Sequence, residues 1–401
     1  MDNFKFIKSL DSVNLILGNG FDLHCKLHCS YKNYHQKYKQ KYDFLISLID
    51  KYFKLTEQGC SFFDNTSLKK TDFKKCNLWD FFFALSRKQR SDSMDYNWCD
   101  VESLMQDSLV GVEGALLSWP RVFSIYKYQS KVADNGHNED LMAGIIYLLR
   151  DKKPFKDERE YYDFLLKELF KFESVFGRFI FNQRKNIDRH HIEYGIINKR
   201  YLECAKRTLG TICNFEKIIS IDIFNYDEIG IGEYDSKTNM INGNYNNPIF
   251  GVNSVFKHTD PRFIFTKTHR HILDNMHKTD TKGLVDFKNI VVFGHSLCEY
   301  DFMHFFSAFD KIRISDPTNT SCFIYVFSVY DESKRTIIEN DVRNSVYNLI
   351  YSYAAARELH TNLLSALDSQ NRLRIVELKD HLNEFNYENH FDDSEYKNNI
   401  V

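Results

Sequence analysis

Residues 12–22 have the sequence SVNLILGNGFD. The apolar run 12–17 predicts a short buried β-strand, and Gly18-Asn19-Gly20 predicts the turn after it. Glycines at the carboxyl end of a strand let backbone N–H groups approach a phosphate or a ribose closely. The full GxGxxG pattern is absent, because Leu23 stands where the third glycine would be. A tight turn without a ligand is therefore an equally good interpretation of these glycines.

Three more short apolar runs predict strands of the same sheet, and helical patterns separate them. The runs cover 217–223, 289–294 and 322–328, and the helical patterns cover 30–52, 100–117, 158–183 and 197–209. Strands that alternate with helices are typical of α/β proteins. The sequence therefore predicts a Rossmann-like, doubly wound, mainly parallel sheet with a large helical insertion.

The same pattern predicts the domain organisation. We expect residues 1–50 and 211–345 to form a Rossmann-like nucleotide-binding domain, and residues 51–210 to form the helical insertion. Residues 346–401 are expected to form a C-terminal segment with a polar tail. Within the insertion, an apolar stripe at helical spacing indicates core packing. Its members are Leu165, Leu169, Phe172, Phe176 and Phe179.

Charge and cysteine usage narrow the class of protein. The 401 residues include 53 Lys and Arg against 55 Asp and Glu, so the formal net charge is −2. Nucleic-acid-binding domains are usually clearly basic, so a nucleic acid partner would need a local patch. The candidate patch consists of Arg184, Lys185, Arg189, Lys199 and Arg200.

The 9 cysteines form no CxxC pair, and residues 1–12 lack the apolar core of a signal peptide. We expect a reduced, cytoplasmic protein with no membrane partner.

Polar residues follow the second predicted strand, at the end where open α/β sheets place their binding sites. They are Asn225, Tyr226 and Asp227. The Asn225 amide can hold a ribose hydroxyl or orient a water, and Asp227 can act as a base or accept a hydroxyl hydrogen. An Asx-turn that closes the strand explains the same residues equally well. Asn242, before Gly243, is a further polar candidate, for which a plain β-turn is the commoner explanation.

The third predicted strand ends in Gly294-His295-Ser296. His295 is the histidine best placed to act as an acid, a base or a phosphate ligand, although a purely structural histidine fits the sequence as well. Ser296 can cap the following helix or bind a phosphate. We interpret Glu299 and Asp301 as acids that favour the first helical turn electrostatically.

Other candidates carry less weight. Two His/Cys pairs have the i, i+4 spacing of zinc ligands on a helix: they comprise His24, Cys25, His28 and Cys29. Because Ser30 predicts a helix start just after them, we expect an irregular segment there and no metal. Glu102 lies near the start of a predicted helix and is either a cap or a site acid. The chain contains no GxSxG, P-loop or HExxH motif, which disfavours those hydrolase classes.

Taken in order, these segments resemble the AbiH family of bacterial abortive-infection proteins. That family opens with a strand and GNGFD, here residues 18–22, followed by a TSY-like segment, here Cys29-Ser30-Tyr31. Further matches are Trp98 with Glu102, Phe224-Asn225-Tyr226, and Gly294-His295-Ser296-Leu297 with Asp301. The motif order is also similar, more distantly, to SIR2-like NAD-binding domains. The resemblance implies binding of NAD or a related nucleotide, as ligand or substrate, and suggests a homo-oligomer.

The resemblance also assigns roles to residues. It implies catalytic roles for Asn225, His295 and Asp22. It implies cofactor contacts for Gly18, Asn19, Gly20, Phe21, Asp22, Tyr226, Asp227, Gly294 and Ser296. One position departs from both families, because Asn242 stands where they have the histidine of an HG pair. An amide cannot act as a general base near neutral pH, and His258 is the alternative candidate nearby.

The leading functional hypothesis is an anti-phage abortive-infection effector that cleaves the N-glycosidic bond of NAD or a related nucleotide. Two alternatives remain at this stage. One is a nucleotide-binding sensor without catalysis, which the Asn242 departure favours. The other is an effector directed at nucleic acid through the basic patch defined above.

Overall fold

The structure of the chain is a computed structural model. The residues that it describes are 3–25, 27–57, 76–89, 98–128, 137–189, 200–227, 237–253, 256–276, 286–329, 332–359 and 362–379.

A six-stranded parallel sheet lies at the centre of the fold. Its strands are β1 (Val13–Leu17), β2 (Ile218–Ile223), β3 (Thr238–Met240), β6 (Asn289–Phe293), β7 (Phe323–Phe327) and β8 (Leu373–Glu377). They lie in the order β3-β2-β1-β6-β7-β8, so β1 pairs with both β2 and β6. Counted along the chain, this is the 3-2-1-4-5-6 order of the Rossmann fold. The predicted fold class is confirmed. Two short strands, β4 (Gly243–Asn244) and β5 (Asn247–Pro248), form a separate antiparallel pair.

Fourteen α-helices lie within the described residues. They are α1 (Asn3–Ser9), α2 (Asn19–His24), α3 (Tyr31–Lys37), α4 (Lys39–Glu57), α5 (Leu78–Gln89), α6 (Trp98–Val110), α7 (Trp119–Tyr128), α8 (His137–Leu149), α9 (Glu158–Arg189), α10 (Arg200–Ile212), α11 (Lys267–Met276), α12 (Phe302–Lys311), α13 (Arg335–Ala356) and α14 (Leu363–Ser369). Short 3₁₀ turns include Pro261–Phe265 and Glu299–Asp301. Among these helices, none is long and apolar enough to cross a membrane.

Helices cover both faces of the sheet, because strand side chains alternate between its two sides. Val13, Leu15 and Leu17 of β1 belong to the core that contains α3 to α10. Ile16 points to the other face and belongs to the core formed with α12, α13 and α14. The apolar stripe of α9 is fully buried, which confirms its interpretation as core.

Several predicted helix limits were wrong for local reasons. The predicted helix 30–52 is two helices, α3 and α4, although its N-cap is confirmed: Ser30 Oγ accepts a hydrogen bond from the Asn33 backbone N–H at 3.2 Å. The predicted helix 100–117 ends at Val110, because Gly111 adopts the left-handed conformation (φ +79°) that terminates many helices.

Two of the predicted domain limits fall inside helices. The limit at residue 50 falls within α4, and the limit at residue 345 falls within α13. The sheet continues past that point, because β8 pairs with β7 in parallel. The sequence of β8, LRIVE, contains two charged residues and is not a continuous apolar run, so the strand was not predicted. Such a pattern fits a partly exposed edge strand.

Candidate functional site

The loops after β1 and β6 touch each other at the carboxyl edge of the sheet. This is the point where the strand order reverses and where α/β proteins bind ligands. The Gly20 N–H donates to the Gly294 carbonyl oxygen at 2.8 Å. A Cβ on Gly18 would lie 2.3 Å from His295 Cα, and Gly294 has φ +66°. The glycines are therefore required by the contact of one backbone with the other.

Two asparagine amides join the loops after β1, β2 and β3. Asn225 Nδ2 donates to the Gly18 carbonyl oxygen at 2.9 Å, and Asn242 Nδ2 donates to the Phe224 carbonyl oxygen at 3.0 Å. Both side chains are buried. The Asn242 Oδ1 atom has no hydrogen-bond partner among the described residues, which leaves an acceptor open beside Asn225's loop.

Asp22 is fully buried, and Cys29 lies between it and Asn19. Its carboxylate accepts hydrogen bonds from the Tyr201 hydroxyl and, at 3.2 Å, from Cys29 Sγ. Cys29 Sγ also lies 3.2 Å from Asn19 Oδ1. Burial, followed by the charge of Asp227, raises the pKa of Asp22 to about 7. The neighbouring Phe21 is fully buried and packs edge-on against Phe293, so its ring belongs to the core.

Asp227 pairs with a residue of the proposed basic patch. Arg184 NH1 lies 2.5 Å from Asp227 Oδ2, and the guanidinium lies over the Tyr201 ring at 4.0 Å. The exposed-patch interpretation of Arg184 was wrong, because its charge is neutralised inside the fold. Lys185 Nζ lies 5.9 Å from the Phe181 ring. The side chains of Arg189, Lys199 and Arg200 lie outside the described residues.

His295 organises the loop in which it lies. Its Nδ1 accepts a hydrogen bond from the Leu297 backbone N–H at 2.9 Å, which assigns the proton to Nε2. Nε2 faces Asp301 Oδ2 at 3.4 Å. Leu297 has φ +51°, a conformation that a side-chain contact of this kind helps to hold. Both ring nitrogens of the buried imidazole are thus occupied by this chain.

Asp301 pairs with a lysine and does not cap the helix that follows it. Asp301 precedes α12, but its side chain makes no capping hydrogen bond. Its Oδ1 instead lies 2.5 Å from Lys267 Nζ. Lys267 Nζ also lies 3.0 Å from Glu102 Oε2. Ser296 lies six residues before the start of α12 and is exposed, so it is not the N-cap of that helix either.

A second buried ion pair holds Phe250. Arg270 NH2 lies 2.8 Å from Glu173 Oε2. Glu173 Oε1 accepts the Phe250 N–H at 2.8 Å, and Arg270 NH1 donates to the Phe250 carbonyl oxygen at 2.7 Å. The Phe250 ring stacks on Tyr226 with a centroid separation of 5.7 Å. Arg270 is therefore a buried structural residue rather than part of a basic surface.

Sequence reasoning missed Lys267, Arg270 and Glu173. In α11 the usual burial of residue types is inverted, because the apolar Ile272 is 54% exposed while Lys267 is only 8% exposed. The burial of Lys267 and Arg270 cannot be recognised from the sequence, because it depends on carboxylates that lie elsewhere in the chain. The candidate His258 lies exposed on a surface loop.

The predicted site residues divide into two groups by exposure. Asn19, Gly20, Gly294 and Ser296 keep exposure to solvent. Asn225, Tyr226, Asp227, Asp22 and His295 are each less than one-tenth exposed. Two shallow clefts lie elsewhere, one of them bordered by Phe256 to Arg262. Among the described residues, no group of three or more His, Cys, Asp or Glu side chains is arranged to hold a metal ion.

Asp22 gives a testable pH dependence. A carboxyl whose pKa is raised in the folded state binds protons more tightly there than in the unfolded chain, so its contribution to stability is lost as pH rises from about 4 to about 7. We expect Asp22→Asn to become more stable relative to wild type over this range, by up to about 1.4 kcal/mol per pH unit. Urea unfolding of both proteins between pH 5 and pH 8 measures the difference. A difference that does not change with pH would contradict the assignment.

These features define an α/β protein of Rossmann-like architecture, whose motif residues gather at the carboxyl edge of the sheet where the strand order reverses. The chain belongs to the family described as Bacteriophage abortive infection AbiH, whose model matches residues 15–325. Membership implies a role in abortive infection by bacteriophage. No curated protein and no solved structure gives a significant match to the chain.

Proposed function

We propose that this AbiH-family protein binds NAD or a related nucleotide at the carboxyl edge of the sheet and cleaves its N-glycosidic bond during abortive infection. One observation carries the proposal: Asn225 and His295 follow β2 and β6 and both lie against Gly18 at the reversal of the Rossmann strand order, and Asn242 donates to the loop of Asn225. Ligands of open α/β sheets bind in this place. The SIR2-like resemblance supports NAD as the nucleotide.

The exposed and the buried residues would have different tasks. Asn19, Gly20, Gly294 and Ser296 form the accessible part of the edge, where a phosphate or a ribose would make contact. Asn225 would position the ribose or the attacking water. Asp22 would fix Asn19 through Cys29, and His295 would hold its loop. An oxocarbenium-like transition state would develop positive charge at the ribose.

A sensor that binds a nucleotide without cleaving it is the second candidate. The observation that favours it is Asn242, whose amide donates to the Phe224 carbonyl oxygen and cannot take a proton from water. The two candidates differ in product formation, while both require binding at the same edge.

The test is incubation of purified protein with NAD, followed by chromatography for nicotinamide and ADP-ribose. We expect wild type to release both products and Asn225→Ala to be slower on the order of 100-fold, since loss of one positioned polar group typically costs that much. Asn362→Ala is the matched control, because it removes an amide that caps α14 far along the chain. It should keep wild-type activity.

The possible outcomes separate the candidates. If wild type forms no product but NAD raises its melting temperature, the sensor is supported and hydrolysis is rejected. If neither NAD nor ADP-ribose changes the melting temperature and no product forms, the nucleotide proposal fails. Equal rates for wild type and Asn225→Ala would exclude the assigned role of Asn225.

A further inference from the structure

A buried charge cluster links three parts of the chain beside the candidate site. Glu102 comes from α6, Lys267 begins α11, and Asp301 ends the turn before α12. Lys267 Nζ lies 3.0 Å from Glu102 Oε2 and 2.5 Å from Asp301 Oδ1. The three side chains are each at most 10% exposed. Solvent therefore screens these charges little, and their interactions are strong.

The charges in this cluster do not balance. Two carboxylates share one ammonium, and His295 is neutral when its Nδ1 accepts the Leu297 N–H. A buried excess negative charge is costly, so one carboxyl of such a pair holds its proton more tightly than the other. Asp301 faces both Lys267 and His295, whereas Glu102 faces Lys267 alone among the cations. Glu102 is thus the carboxyl that carries the proton.

The electrostatics agree with this geometry. Burial raises the pKa of Glu102 to about 7, with the charge of Asp301 acting in the same direction and Lys267 against it. The pKa of Asp301 stays well below its ordinary value despite burial, because Lys267 and His295 stabilise its charge. The charge of Glu102 in turn acts on two neighbouring hydroxyls, those of Tyr226 and Tyr300, and adds to the rise in their pKa.

The cluster also fixes the backbone next to Asn225. Glu102 accepts the Gly251 N–H, and a Cβ on Gly251 would lie 2.8 Å from Lys267 Cγ. Gly251 follows Phe250, whose ring stacks on Tyr226. The negative charge of Glu102 raises the pKa of the Tyr226 hydroxyl, after burial itself. Lys267 thus packs against Gly251, and the adjacent Phe250 stacks on Tyr226. Tyr226 is the residue that follows Asn225 in the chain.

We propose that Lys267 is a positioning residue of the candidate site, which holds Glu102 and Asp301 together and makes Glu102 the acid that takes up and releases a proton there. Its role at the site rests on the proposed nucleotide-binding function, whereas its effect on Glu102 does not. The proton moves between Glu102 and solvent or a bound hydroxyl, so no other reactant is required.

The first experiment measures the Glu102 carboxyl directly. Full-length protein labelled with carbon-13 at the glutamate δ-carbon is titrated by NMR, and Glu102→Gln identifies the resonance. We expect a wild-type midpoint of about 7. Lys267→Met should raise the midpoint by about 1 to 3 pH units, because the nearest cation is lost. An unchanged midpoint in Lys267→Met, or a wild-type midpoint near the ordinary value of about 4.3, overturns the proposal.

Two further variants guard against a purely structural explanation. Asp301→Asn should lower the midpoint, because it removes a like charge and leaves Lys267 to Glu102 alone; this opposite shift keeps the test decisive if Lys267→Met does not fold. Lys41→Met is the matched control, since Lys41 pairs at 2.6 Å with the buried Asp80 in the helical region. It should cost stability and leave the Glu102 midpoint in place.

The second experiment measures the melting-temperature rise caused by NAD and ADP-ribose between pH 5 and pH 9. We expect the rise to change with pH around the Glu102 midpoint, and to follow that midpoint when Lys267→Met moves it. A melting-temperature rise that does not follow the Glu102 midpoint would show that Lys267 has no role at the nucleotide site. If no nucleotide changes the melting temperature at any pH, the proposed function fails, and the NMR titration still decides whether Lys267 controls Glu102.

Discussion

Arg270→Met is expected to lower the free energy of unfolding by about 3 to 5 kcal/mol, the usual loss when one partner of a buried ion pair is removed. Arg270 and Glu173 are both at most 5% exposed, so water cannot replace the lost guanidinium. The Phe250 carbonyl oxygen loses its donor at the same time. Urea unfolding followed by circular dichroism at pH 7 measures the loss.

A matched surface variant separates burial from charge. Arg335 pairs with Glu332, Glu339 and Glu377, but its side chain is 34% exposed. Arg335→Met should therefore cost no more than about 1 kcal/mol, although it removes more ion pairs. Equal losses for Arg270→Met and Arg335→Met would show that the Glu173 pair does not depend on its burial.

Gly18→Ala is expected to destabilise the protein by about 1 to 3 kcal/mol or more, as overpacking of a tight contact does. The new Cβ would lie 2.3 Å from His295 Cα and 2.7 Å from the Gly294 carbonyl oxygen. These are backbone atoms, which cannot rotate away as a side chain can. The loops after β1 and β6 must therefore separate, and the Asn225 contact with Gly18 should weaken with them.

Gly210→Ala provides the control for this substitution. Gly210 lies within α10, and its added Cβ would meet only the Phe215 ring, at 3.3 Å. Alanine favours the helix over glycine by about 1 kcal/mol, so this variant should be as stable as wild type or more so. Thermal unfolding of the three proteins measures both effects. Wild-type stability in Gly18→Ala would contradict the observed contact between the loops.

The sequence predicted those strands that are buried on both faces. β1, β2, β6 and β7 read as mainly apolar runs because helices cover them on each side. β3 was missed because it has only three residues, and none of them is buried. β8 was missed for a similar reason, since only Val376 in it is buried.

The candidate site was predictable where it depends on strand ends. Asn225 and His295 could be found because each follows a predicted strand of a parallel sheet, whose carboxyl ends meet at one edge. Asn242 was noticed only as a polar residue before Gly243, since the strand that it follows was not predicted. Lys267 and Arg270 could not be found, since their partners lie on α6, α9 and the turn before α12. A lysine or arginine on a helix normally indicates a solvated face, and only tertiary contacts reverse that interpretation.

The position of β1 has a consequence for synthesis of the protein on the ribosome. β1 is the first of these strands to be synthesised, yet its partners are β2 and β6. Val13 can therefore pair only after Ile218, and on its other side Asn289, have been synthesised. Contacts between such distant residues form late and slowly. A nascent chain or a truncated product that ends before residue 289 leaves one edge of β1 unpaired and lacks the loop of Gly294. The candidate site therefore comes into existence only when translation of the chain is well advanced.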